Sequence, residues 1–369
     1  MEENKPETTA PAEQTQTLST AKKPRILFLL VGFAILVLLV VIGFLFFNRS
    51  KNIGSKESLS TESIQADVLK GSEYIITQKT ENGGYWYQKY SPEVCPMVDG
   101  KMACSFRPNN LSFGSNSWAA LGQYSAYKIS LDKSYLDNAK SDLNNLLSWC
   151  EDAKNDCTYL LSQPIVINED LKDKKISDFI EKQGEKLIAN KPEEHLMLSA
   201  IEVKELAQLY GVFKDEKYLN EATQRLAVVE KNLQKESVNP QTGAVSLPNF
   251  ACWVSLAQVE LGKAKNDQQI IVNAIEYLKQ NDRINTINNF ANPVMIQPCI
   301  EAFFLAGKTT PYGYAEQGKE MFKEFLANFY ESDGYTTYFS KEEIAKGQPK
   351  NIFLADTAYT NYLKYLSVQ

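Results

Sequence analysis

Five segments of this chain carry the same helical stripe, a small residue followed four positions later by a large apolar one: Gly71/Ile75, Ala139/Leu143, Ala222/Leu226, Ala274/Leu278 and Gly318/Phe322. Each has a further apolar or small residue three positions before the small one (Val68, Leu136, Leu219, Ile271 and Ala315), completing an i, i+3, i+7 face. Two of the helix starts nearly coincide, Asp132-Lys-Ser-Tyr135-Leu136-Asp-Asn-Ala139 and Asp215-Glu-Lys-Tyr218-Leu219-Asn-Glu-Ala222. Both aspartates stand where a helix N-cap belongs. Internal duplication is the economical source of such a pattern.

Between these helices lies a second set, richer in apolar and small residues, at about 117–130, 194–212, 250–262, 294–307 and 353–366. A helix apolar on most sides is a buried one, so this set is expected inside and the striped set outside. Connections from an inner helix to the next outer one are short, such as Leu131-Asp132, whereas those from outer to inner are long, at about 80–113, 151–193, 234–249, 283–293 and 331–352. All long loops are therefore expected on one rim. Unequal spacing of the repeated small residues argues against tetratricopeptide repeats, which keep a fixed period. A closed all-α barrel fits better, and residues 58–369 resemble the (α/α) toroids, the six-hairpin glycosidase-like and terpenoid-cyclase-like folds. Five hairpins are clear; a sixth lies in the long insertion if the helix read over Leu171 to Ala189, with its weak stripe at Gly184/Ile188 spoiled by Glu181, belongs to the ring.

Binding groups concentrate on loops held by a rigid scaffold, which directs the site to the long-loop rim. The first loop carries Tyr85, Trp86 and Tyr87 beside Gly83-Gly84, and the last carries Tyr335 after Asp333-Gly334. Trp118 and Trp253 sit in two inner helices. Flat aromatic faces with polar edges suit sugar rings, though the same residues also serve as ordinary core. Carboxylates near the starts of inner helices are Glu193, Glu194, Glu301 and Asp356, and the one histidine of the chain is His195. The catalytic candidates are Glu301, Asp356, Glu194 and His195. Glycoside hydrolysis needs one carboxylic acid and one carboxylate. A helix N-terminus favours the charged form, so a general acid placed there needs burial to raise its pKa again. The toroid resemblance implies a carbohydrate-active protein of hydrolase, lyase or epimerase type; the alternative is a noncatalytic envelope module binding glycan or protein. No Gly-rich phosphate loop, HExxH or GxSxG occurs, and the expectation is no cofactor and no metal. A prenyl or terpenoid reaction is disfavoured by the lack of an Asp-rich motif.

Ahead of the repeats, the 22 residues from Ile26 to Phe47 carry no charged side chain. At 1.5 Å per residue they reach about 33 Å, enough to cross a bilayer. No small-residue cleavage site follows them, so they read as an uncleaved signal anchor. The segment 1–25, rich in Thr, Glu, Gln and Pro, reads as a disordered cytoplasmic tail, and 48–57 as a polar linker. Basic residues flank the span almost equally, so cysteine usage decides the orientation. All six cysteines follow the span, and Cys95 with Cys104 and Cys150 with Cys157 form close pairs, which indicates disulfides in an oxidising, extracytoplasmic compartment. Around an Asp99-Gly100 hairpin turn, Cys95 falls opposite Cys104. Cys252 and Cys299 either bridge two neighbouring helices or remain buried thiols. With 39 basic and 45 acidic residues, and a basic excess before residue 57, the ectodomain is acidic and nucleic acid is excluded as a partner.

Overall fold

The computed structural model describes residues 60–86, 88–90, 97–98, 101–102, 111–152, 154–237, 250–280 and 293–369. The segment Ile26 to Phe47, the tail and linker around it, Tyr87, Cys95 and Cys104 lie outside them. Among the described residues no helix is long and apolar enough to cross a membrane.

Six outer helices carry the stripe or its echo: α1 (Thr61–Thr77), α3 (Lys133–Cys150), α5 (Lys174–Ala189), α7 (Glu216–Ser237), α9 (Gln268–Lys279) and α11 (Tyr314–Phe329). Six inner helices alternate with them: α2 (Ser115–Ser130), α4 (Ser162–Leu171), α6 (Leu196–Phe213), α8 (Ala251–Lys265), α10 (Pro293–Thr309) and α13 (Leu354–Val368). A short α12 (Lys341–Ala345) lies in the last loop. Each inner helix packs on the next, and α13 returns onto α2, so the inner ring is closed. The chain is a six-hairpin (α/α) toroid. The sixth hairpin comes from the long insertion, which holds an outer helix, α5, and also an inner helix, α4, that the sequence reading did not resolve. Gly184 of α5 is buried, and a Cβ there would meet Leu209 and Tyr218, so the weak stripe does mark a packing face.

The striped positions are buried as their spacing requires: Ile75, Ala139, Leu143, Ala222 and Phe322 are at most 1% exposed. The small residues permit close approach. A Cβ on Gly71 would fall 2.4 Å from Asn361 Oδ1, and one on Gly318 would fall 3.0 Å from Phe304. Closure depends on a polar seam between α1, α2 and α13. There Asn361 donates to the Val68 carbonyl (3.3 Å) and to Ser72 Oγ (3.2 Å), while Gln123 donates to the Ser72 carbonyl (2.9 Å) and Ser72 to the Gly122 carbonyl (2.9 Å).

Four inner-to-outer turns share one construction. Leu131, Lys172, Lys214 and Asn266 end an inner helix in the left-handed region, with φ between 52° and 60°. The next residue is an aspartate whose carboxylate accepts an amide of the outer helix: Asp132 from Ser134, Asp173 from Lys175, Asp215 from Lys217 and Asp267 from Gln269, each at 2.9 or 3.0 Å. The opposite rim holds the long loops and their short strands: β1 (Tyr85–Trp86) pairs with β5 (Leu111–Ser112), β2 (Gln88–Tyr90) with β6 (Asn351–Phe353), and β3 (Met97–Val98) with β4 (Lys101–Met102). The last pair, Met97 opposite Met102 and Val98 opposite Lys101, has the register expected of the Asp99-Gly100 hairpin.

Cys150 is bonded to Cys157, as their spacing indicated. Cys252 is bonded to Cys299, which ties α8 to α10 across a separation of 47 residues and settles the pair left open by the sequence. In the chain-entropy account a loop of that length is worth about 4 kcal/mol, and the short Cys150 loop about 2.5 kcal/mol. The Cys252→Ser/Cys299→Ser variant should lose about 2–4 kcal/mol in urea unfolding, and more than Cys150→Ser/Cys157→Ser; the reverse order would mean that the inner-ring bridge is not the dominant tie.

Candidate functional site

Helix α6 runs LMLSAIEVKELAQLYGVF, an apolar sequence broken at its centre by Glu202, Lys204 and Glu205. All three are buried, at 1%, 8% and 1% exposure. Successive residues point about 100° apart, so the charges leave the helix in different directions. Glu202 turns outward to Arg225 of α7 (2.8 Å), whose guanidinium also donates to the Leu187 and Asn190 carbonyls (2.8 and 2.9 Å). Glu205 accepts the amides of Leu161 (2.9 Å) and Ser162 (3.3 Å) at the start of α4, and burial nevertheless pushes its carboxyl up to about 8. Lys204 faces the barrel axis, 3.7 Å from Glu301 of α10.

Glu301 is the centre of the axial group. It is 2% exposed, and the Tyr359 hydroxyl of α13 donates to its Oε2. Burial raises its pKa, and the Lys204 ammonium opposes that rise. Trp118 lies against Tyr359 with ring centroids 5.4 Å apart, and with Ser162, Gln163, Lys204 and Glu301 it lines a small pocket of about 10 Å³. That is room for about one water. One turn toward the long-loop rim, Gln297 donates to the Asp356 carbonyl (3.1 Å) and to Thr360 Oγ1 (3.0 Å). Asp356 stands in the first turn of α13, three residues before Tyr359 and therefore on the same helix face. It is 3% exposed, its Oδ2 has no hydrogen-bond partner, and burial alone pushes the carboxyl up to about 8. The Tyr359 bond to Glu301 and the Gln297 bond to the Asp356 main chain both tie α10 to α13, which carry the two acids. Among the described residues no three His, Cys, Asp or Glu side chains are close enough to hold a metal.

The other sequence candidates separate. Glu301 lies two turns inside α10, not near its first turn as expected, because the helix begins at Pro293. Glu194 is exposed and paired with Lys191 (3.3 Å). His195 is exposed at the N-cap of α6, its ring edge-on to Phe250 at 4.9 Å. Tyr85 is buried, donating to Asp142 (2.9 Å), which also accepts from Lys79 (2.7 Å); it is a strut between the first loop and α3. Trp253 donates its indole N–H to the Val294 carbonyl (3.0 Å) beside the Cys252–Cys299 bridge. Tyr335 packs on Tyr74 (5.2 Å) under Lys350. Trp86 lies on β1, and its side chain, like Tyr87, is outside the described residues. Lys204, Tyr359, Gln297 and Gln163 were missed. The signal was present for Lys204, because a charged triplet within an apolar helix must meet a polar interior. The larger described cavity, about 960 Å³, opens at the short-loop end and not at the expected rim.

No family model matches the chain, and no curated protein does. Solved structures do match. The GH76A α-1,6-mannanase of Salegentibacter sp. HEL1_6 superposes with a TM-score of 0.63 at 13% identity, over 82% of this chain and 98% of that one. This chain shares the fold of that enzyme. The GH76 α-mannanase of Bacteroides thetaiotaomicron gives a TM-score of 0.56 at 11% identity, over 84% and 95%. An unsaturated glucuronyl hydrolase of Streptococcus agalactiae gives 0.56 at 14%, over 85% and 92%.

Two measurements follow from the axial group. Lys204→Met should destabilise the protein by about 3–5 kcal/mol in denaturant unfolding, because it strands a buried carboxyl, and adding Glu301→Gln should recover most of the loss; no recovery would mean that the two side chains are not coupled. For Asp356, the folded-state pKa of about 8 lies above the ordinary carboxylate value. The folded protein therefore holds a proton that the unfolded chain releases, and this contribution to stability is full in acid and is lost as pH rises toward 8. Asp356→Asn should flatten the fall of Tm between pH 5 and pH 8, and an unchanged slope would refute the raised value.

Proposed function

We propose that the protein is a carbohydrate-active toroid, held outside the cytoplasm by one membrane-crossing helix at Ile26 to Phe47, with Asp356 and Glu301 as its working carboxyls. One observation carries the reading: two carboxyl groups are buried on neighbouring inner helices, Glu301 on α10 and Asp356 on α13, and burial pushes the second up to about 8. Cleavage of a glycosidic bond needs a carboxylic acid to protonate the leaving oxygen and a second carboxylate as base or nucleophile. Burial of Asp356 answers the objection that a helix N-terminus favours the anion, and it suits the acid role. Glu301, beside Lys204 and Tyr359, suits the charged role. Trp118 offers a flat apolar face to a sugar ring. The disulfides and the apolar span support the extracytoplasmic placement.

A specific observation favours the noncatalytic alternative, a glycan-binding module of the envelope. The pocket beside Glu301 takes about one water, and Lys204 already neutralises the carboxylate. The Salegentibacter mannanase was also solved as an inactive variant with two consecutive aspartates replaced by asparagine, in complex with α-1,6-mannotriose. This chain contains no two consecutive aspartates, so its chemistry would rest on differently spaced groups.

The full chain in detergent, assayed against manno-oligosaccharides and unsaturated glucuronyl disaccharides, separates the readings. Catalysis predicts product release that falls about 100-fold or more in Asp356→Asn with binding retained, and that declines as pH rises through about 8. Binding that depends on Trp118 without any turnover selects the noncatalytic reading, and turnover unaffected by Asp356→Asn removes the proposed acid. Protection of the C-terminal region from protease in intact cells would overturn the extracytoplasmic placement.

A further inference from the structure

We infer that the short-loop end of the barrel carries a second ligand site, independent of the axial carboxyls, that takes a neutral or weakly anionic sugar. The C-terminal halves of the inner helices and the first turns of α5 bound a notch of about 960 Å³ there. Helix α4, with 10 residues against 16 in α2 and 18 in α6, begins at mid-height, where its Leu161 and Ser162 amides meet Glu205, and reaches the notch level with α2, where Asp170 accepts from Tyr124 and Lys128. That volume is at the upper end of the roughly 300–1,000 Å³ usual for small-molecule sites.

Its walls differ in chemistry. One side is phenolic: Tyr124, Tyr362 and Tyr365 line it, the last two with ring centroids 6.3 Å apart. The opposing side holds Gln208 and Glu260, joined by a 3.0 Å hydrogen bond in which the Gln208 amide donates, and Lys263 donates to the second Glu260 oxygen at 2.7 Å. These bonds use the Gln208 N–H, while its carbonyl oxygen is buried without a partner. A buried acceptor left open costs free energy that a ligand O–H would recover.

The charges select among ligands. Lys128 is paired with Asp170 (3.0 Å), Lys174 with Asp178 (2.8 Å) and Lys263 with Glu260 (2.7 Å). Among the described residues Lys172 and Lys214 at the opening have no carboxylate within 4 Å. Glu169, also in the lining and without a salt bridge among the described residues, offsets one of them, so the field is nearly balanced with an excess of about one positive charge. An alkyl chain would bury these polar groups without partners, and a strong cation would compete with ammonium groups already in place. A pyranose meets both walls: its C–H face lies on the tyrosines and its hydroxyls reach Gln208 and Glu260. A carboxylate on the sugar would face Lys172 and Lys214.

Gly211 provides a clean block. It lies in the lining of the notch within α6, and a Cβ built on it meets nothing within 4 Å. Gly211→Trp therefore starts from open space at its Cβ, directs a bulky ring at the opening and removes a helix-weakening glycine. Tyr365→Ala is the second variant, taking away one stacking face. The full chain in detergent is titrated by saturation-transfer NMR and calorimetry with a panel of neutral and uronic-acid di- to tetrasaccharides. The expected result is a panel member whose affinity falls about tenfold or more in both variants, with Tm of Gly211→Trp unchanged and binding of that ligand unaffected by Trp118→Ala. Failure of every panel member to bind the wild type, or equal binding by Gly211→Trp, overturns the site. Binding lost only in Trp118→Ala overturns it too while leaving the axial reading standing, and binding lost only in the notch variants supports the notch and leaves the axial reading to its own turnover assay.

Discussion

The ring stands on a seam of buried hydrogen bonds where the last inner helix meets the first hairpin. Ser72, Gln123 and Asn361 are all fully buried, and they exchange hydrogen bonds across three helices without a charged group among them. Apolar packing supplies most of the free energy of such a barrel, but it is non-directional and would tolerate sliding of one helix along another. The amide of Asn361 accepts only one register. Gly71 is the complement of this arrangement, since any side chain there would occupy the space of Asn361. Each of the other five inner-helix contacts joins neighbours in sequence order, so only this seam has to bring together distant parts of the chain.

A closed ring of six inner helices leaves an axis that must be filled, and this chain fills it with polar groups. Lys204, Glu301, Tyr359 and Gln208 occupy positions where an all-apolar barrel would place leucine or phenylalanine. Buried ion pairs of this kind rarely add net stability over well-packed apolar side chains. Their presence on the axis, together with a buried Asp356 whose carboxyl is pushed up to about 8, is the feature on which the proposed chemistry rests. Val166, Gln208 and Tyr362 line both the small pocket and the notch, so the two ends of the axis are separated by a thin polar partition.

The outer helices were legible because each presents one narrow stripe to the ring, and the short turns were legible because Asp132 and Asp215 announce helix starts. Helix α4 was not. Its Pro-Ile-Val-Ile core has the β-branched character of a strand, and it has no small/large stripe because it faces neighbours on several sides. Pro164 is tolerated because it lies in the first turn, where no intrahelical N–H is required. The site was half legible. Glu301, Asp356 and Trp118, picked by residue type and approximate place, lie buried or half-buried on the inner helices, whereas Tyr85, Trp253 and Tyr335, picked from the same aromatic vocabulary, make packing and strut contacts. Lys204 was overlooked because a charged triplet ordinarily marks a solvated face. The notch could not be read at all, since its walls are the ends of inner helices far apart in sequence.

The seam joins residues nearly three hundred positions apart, Val68 with Asn361. Loop closure over such a span is slow relative to hairpin formation, so each helical pair forms as it is made while the ring waits as an open arc. During synthesis the arc stays unsealed until α13 emerges, and its inner faces are open to mispairing and aggregation until then.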